Sequence, residues 1–122
     1  MSEARRIAEN YLAAWNEPDA TARAARIAWE WAPSARFTDP MMEGAGQQEI
    51  AALIEGVRAK FPGLGFALEG EPDGHGRFVR FSWSAAPEGG AVLARGTDVV
   101  RLDGEGRIAE VIGFLDAAPG VA

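Results

Sequence analysis

Ala91-Val92-Leu93-Ala94-Arg95-Gly96-Thr97-Asp98-Val99-Val100-Arg101-Leu102 reads as one long strand. Alternate residues of a strand face the same way. Asp98 therefore shares a face with Val92, Ala94, Gly96, Val100 and Leu102, all small or apolar. That face is expected to look into a core or a pocket. Aspartate is a poor strand former, and burying its charge alone is costly. An acid kept there is paired, held neutral or put to use. An ion pair with Arg80 is the structural alternative to a functional role.

On either side of this segment the second half of the chain alternates strands and turns. Strands are expected over Leu64–Glu71, Phe78–Ala85, 91–102 and Arg107–Leu115. The turns fall at Pro72–Gly76, Pro87–Gly90 and Asp103–Gly106, all rich in turn formers. Connections this short imply an antiparallel meander. The first half is helical. Ala4, Ile7, Ala8, Tyr11, Leu12 and Trp15 recur at helical spacing and predict an amphipathic helix over residues 3–16. Asp19 is the expected N-cap of a second helix, with Ala20, Ala24, Ile27, Ala28 and Trp31 on its buried stripe and Pro33 as its stop. Arg36–Asp39 is a short strand, with Asp39 held extended by Pro40. Met41–Gly46 is a loop. Gln47–Phe61 is a third helix, burying Ile50, Leu53, Ile54, Val57 and Phe61.

Three helices followed by a meander define an α+β fold, with cone-like helices packed on a strongly curved, mostly antiparallel sheet. The 122 residues fit one domain, with the tail from Ala117 onward loose. Such a sheet leaves a conical space that Trp31, Phe37, Met41, Phe61, Phe66, Val79, Phe81, Trp83 and Phe114 are placed to line. Each is also a candidate for plain core. A mostly apolar pocket with a few polar groups suits a small molecule.

Composition narrows the partners. The net charge of −6 and the absence of a Lys/Arg cluster argue against nucleic acid and anionic membranes. With no cysteine and a single histidine, neither a structural zinc site nor a His-based triad is expected, and no metal is expected. That histidine, His75, sits in a glycine-rich turn and reads as solvated. The glycine-rich turns do not open helices, so they are not phosphate loops. Trp29 falls off the helical stripe and reads as a pocket-rim or interface residue. The N-terminal residues lead into a polar helix rather than an apolar signal region, and no apolar run would span a bilayer. A cytoplasmic location is the default. The strand face bearing Leu93, Thr97 and Val99 is partly apolar and needs cover, which predicts a homodimer through the outer sheet face.

Four segments together resemble the nuclear transport factor 2-like superfamily: Tyr11–Asn16, Trp31–Pro40, Gly44–Gly46 and Gly96–Ile108. Within it the chain looks most like SnoaL-like polyketide cyclases and Δ5-3-ketosteroid isomerases. In those isomerases a helix-one tyrosine and a strand aspartic acid donate hydrogen bonds to a developing enolate oxygen, while an aspartate before a proline moves the proton. The resemblance implies those roles for Tyr11, Asp98 and Asp39 respectively. Polyketide cyclases resemble the chain at Asp98, which there serves as acid or base. Limonene-epoxide hydrolases share the fold, but Arg80-Phe81-Ser82 carries serine where their acid would stand. The stretch between Tyr11 and Asp39 is longer than in the isomerases and should reshape the pocket mouth. The expectation is a cofactor-free isomerase, cyclase or lyase acting on a small apolar or aromatic carbonyl compound. The alternative is a ligand-binding or scaffold protein without turnover. Convergence of Tyr11, Asp39 and Asp98 on one cavity discriminates them.

Overall fold

The computed structural model describes residues 2–117. Helix α1 spans Glu3–Asn16 and starts where the Ser2 side chain accepts the Arg5 N–H. It buries Ile7, Ala8, Tyr11, Leu12, Ala14 and Trp15, so the helical periodicity is realised. Helix α2 spans Ala20–Glu30 and is capped by Asp19, whose carboxylate accepts the Ala22 N–H. Strands β1 (Trp31–Thr38) and β2 (Glu43–Ala45) precede helix α3 (Gln47–Lys60). Strands β3 (Leu64–His75), β4 (Phe78–Pro87), β5 (Ala94–Leu102) and β6 (Ile108–Ala117) follow.

The six strands form one sheet in the order β2-β1-β6-β5-β4-β3. Every neighbouring pair is antiparallel except β1 and β6, which run parallel. Helices and sheet enclose one cluster of buried apolar side chains. The α+β architecture expected from the sequence is therefore present.

Several boundaries differ from expectation for identifiable reasons. Trp31 opens β1 instead of ending α2, because Pro33 demands an extended residue before it and α2 has already stopped at Glu30. Of the predicted stripe of α2, Ile27 is buried as expected, but Ala20, Ala24 and Ala28 are exposed and Arg23 is buried instead. Alanines offer little area to bury, whereas Arg23 ties the helix to its surroundings. Its guanidinium donates to the carbonyls of Glu17 and Pro18 and pairs with Glu55. Residues 43–45, expected as loop, pair with β1 as an edge strand. The turn predicted at Pro72–Gly76 is strand: the ladder bulges between Glu69 and Asp73, then pairs Asp73 with Arg80 and His75 with Phe78. Proline is tolerated there because β3 is an edge strand. The true turn is Gly76-Arg77, leaving His75 exposed at the end of β3. Strand β5 starts at Ala94, so Val92 and Leu93 lie outside it. Strand β6 continues through Ala117; the rest of the tail expected to be loose lies outside the described residues.

Candidate active site

Asp98 occupies the face that strand alternation assigns to it. Gly96, Asp98, Val100 and Leu102 are buried along β5, and the Asp98 side chain points among the helices. Its ladder partners are Phe81 on β4 and Gly113 on β6. The parallel pairing of β1 with β6 aligns Thr38 with Ile112, which brings Asp39 alongside Gly113. Asp39 and Asp98 thus flank one glycine from opposite sides. A Cβ placed on Gly113 would lie 2.9 Å from Asp98 Oδ1 and 3.2 Å from the Cβ of Asp39. No side chain fits between the two acids, and the space opens into a cavity.

That cavity has a volume of about 590 Å³, and Tyr11, Asp39 and Asp98 all line it. Phe37, Phe66, Trp15 and Trp83 supply aromatic walls, with Leu53 and Val57 from α3. Met41, Phe61 and Phe114 line it too and are themselves exposed, as is Leu93. Among the described residues, Lys60 is the only basic one on its surface. Three predicted lining residues, Trp31, Phe81 and Val79, do not reach it. Trp31 and Phe81 are buried behind Tyr11, with ring centroids 5.8 and 5.3 Å from its ring. They hold the tyrosine in place. Val79 is likewise core. Leu93 lines the cavity rather than the outer sheet face, because regular alternation only begins at Ala94.

Trp83 Nε1 donates to Asp98 Oδ1 over 3.1 Å. Burial raises the Asp98 pKa to about 6; the Trp83 and Tyr11 donors pull it back, and the charges of Asp39 and Asp116 push it further up. Around pH 6 the carboxyl is thus poised between donor and acceptor forms. The suggested Arg80 ion pair does not form: Arg80 bonds Asp73 over 3.1 Å between two exposed side chains. Tyr11 is buried, and burial together with Asp98 raises its pKa well above the ordinary phenol value. It stays a hydroxyl, able to donate. The Trp15 indole N–H is buried beside it with no partner of ordinary hydrogen-bond geometry.

Asp39 is half-buried and shaped by its own loop. Its Oδ1 accepts the N–H groups of Met41 (2.8 Å) and Met42 (2.9 Å), and its own N–H donates to the Met42 carbonyl. The side chain is thereby oriented, while Oδ2 makes no hydrogen bond among the described residues.

Reading from sequence overlooked Trp15 and Gly113 at this site. Trp15 was visible in principle, one helical turn after Tyr11 on the same stripe. Gly113 carries no local signal. Trp29, unresolved between rim and interface, is 80% exposed beside a separate polar cleft with Arg6, Asn10 and Glu30, away from this cavity. Among the described residues no group of three or more His, Asp or Glu could hold a metal ion. No helix among them is long and apolar enough to cross a membrane.

Helices closing a curved sheet over an acid-bearing apolar cavity define the nuclear transport factor 2-like class. Within it the SnoaL-like domain family matches residues 8–111, and the chain belongs to that family. A SnoaL-like protein of Agrobacterium tumefaciens, a suggested isomerase, is 53% identical, with 96% of this chain and 100% of that one aligned at a TM-score of 0.93. A suggested SnoaL-like polyketide cyclase of Jannaschia sp. CCS1 shares the fold at 16% identity, 95% and 90% coverage and a TM-score of 0.71. So does AclR, a suggested hydroxylase of Streptomyces galilaeus, at 18% identity, 95% and 76% coverage and a TM-score of 0.69. No match was found among curated proteins.

Proposed function

We propose that this chain is a cofactor-free enzyme that moves a proton on a small apolar carbonyl compound, in an isomerisation, cyclisation or elimination. The observation that carries this reading is the meeting of Tyr11, Asp39 and Asp98 in one apolar cavity. Asp39 is the general base: its Oδ1 is tied to backbone, and its Oδ2 is free to take a proton. Tyr11 and the protonated form of Asp98 stabilise the oxyanion, where fixed donors in a dry site act most strongly. The suggested isomerase from Agrobacterium is consistent with this reaction type.

The test is turnover of activated ketones and other carbon-acid probes by the purified protein, alongside binding of apolar phenols. Turnover that depends on Asp39 supports the enzyme reading. Phenol binding without any turnover supports the second reading, a small-ligand-binding protein. One observation favours that second reading: Asp39 Oδ1 already serves a structural turn, a role that needs no chemistry.

The same proposal includes a homodimer through the outer sheet face. Val99 and Ile112 are ladder partners there, as are Thr97 and Phe114, and Ile112 and Phe114 are both exposed. Phe114 also borders the cavity mouth, so a partner on this face would narrow the entrance. Sedimentation at micromolar concentration is expected to give twice the monomer mass, and Phe114→Glu to return it to monomer. A wild-type monomer would remove this part of the proposal.

A further inference from the structure

Asp98 owes its orientation to a neighbour that can only donate. The indole N–H of Trp83 occupies Oδ1 at 3.1 Å, and an indole has no lone pair to offer in return. Oδ1 is therefore committed as an acceptor, and a proton on this carboxyl belongs on Oδ2. The position of the indole is itself built in. Trp83 pairs with Gly96 across the β4–β5 ladder, two residues before Asp98. A Cβ on Gly96 would lie 2.3 Å from Cζ2 and 2.6 Å from Cε2 of Trp83. Any larger residue at 96 would push the ring off the strand, and Cε2 is the atom bonded to Nε1. Phe66 on β3 packs against Trp83 in a T-shaped arrangement, with centroids 5.6 Å apart.

We propose that Trp83, seated on Gly96, is a positioning residue that fixes which oxygen of Asp98 faces the ligand. The inference rests on the proposed role of Asp98 as a donor. It makes the pocket selective for a ligand oxygen that accepts, as a ketone or enolate does, over one that must donate. The titratable groups facing Asp98 are Tyr11 from α1, Asp39 beyond β1 and Asp116 from β6. None is a cation. The indole N–H is the one donor that cannot rotate its hydrogen away.

The experiment is carbon-13 NMR titration of the Asp98 carboxyl in wild type and Trp83→Phe, with kcat and KM followed across pH. Phenylalanine keeps an aromatic ring and removes the N–H. Losing a hydrogen bond to the charged form should move the Asp98 titration up by about one unit or more. The alkaline limb of kcat should move up with it, while kcat on its plateau falls several-fold and KM changes little. A second measurement needs no variant. In wild type the Trp83 indole N–H resonance should shift with pH in step with the Asp98 carboxyl. An Asp98 titration unmoved by Trp83→Phe, or an indole resonance indifferent to it, overturns the inference. The titration shift without turnover in any variant upholds the positioning and removes the catalytic reading.

Discussion

Asp39→Asn is expected to lower turnover of an activated carbonyl probe by about a hundredfold or more, with the fold intact. The asymmetry of the two carboxylate oxygens makes this a clean test. Asparagine can place its carbonyl oxygen where Oδ1 stands and still accept the N–H groups of Met41 and Met42. The loop that lines the cavity with Met41 and Met42 is then retained. The amide nitrogen replaces Oδ2, so the one oxygen free to take a proton becomes a donor. Thermal melting and phenol affinity should therefore change little while kcat collapses. Wild-type turnover in a folded Asp39→Asn protein would move the base role to another group. Asp98 is then the candidate, since it is the other carboxyl at the same glycine.

How much of this site was legible in the sequence depends on which periodicity carried the information. Two-residue alternation placed Asp98 on the inner face of its strand, and helical spacing placed Tyr11 on the buried stripe of α1. Both are local rules. The convergence of Asp39 with Asp98 is not local. It depends on a parallel pairing between the first long strand and the last, a register that no short segment encodes. Resemblance to known enzymes supplied that link where periodicity could not. The errors have the same logic. Trp31 and Phe81 were read as cavity lining from their size. Size says that a ring is buried, not whether it faces the empty side or backs another ring; both back Tyr11. The alanine stripe of α2 failed because the helix packs through an arginine whose partners are the Glu17 and Pro18 carbonyls and the Glu55 carboxylate, invisible to a hydrophobic pattern. Pro72–Gly76 failed because turn-forming residues are also tolerated along a bulged edge strand. Gly113 was passed over because its contribution is an absence: it keeps two acids at one cavity by having no side chain between them.

Asp98→Asn is expected to make the protein more stable than wild type at pH 8, by about 3 kcal/mol, with the advantage vanishing towards pH 4. The folded protein raises this pKa to about 6, chiefly by burial, from the ordinary aspartate value of 3.8. Between those values the folded chain keeps a proton that the unfolded chain has released. Stability is therefore fully present below the unfolded value and is lost as pH rises through the folded one, then levels off. Asparagine does not ionise, so its stability should not fall through that window. Its carbonyl oxygen can still accept the Trp83 N–H, and its amide can still donate towards the ligand. Leucine of similar bulk can do neither and leaves the Trp83 N–H without an acceptor. Phenol binding should consequently survive in Asp98→Asn better than in Asp98→Leu. Denaturant unfolding of wild type and Asp98→Asn from pH 4 to 8 decides the matter. A stability difference that does not vary with pH would mean that Asp98 titrates alike in both states. The carboxyl would then be solvated, and its use as a neutral donor near pH 6 would have no physical basis.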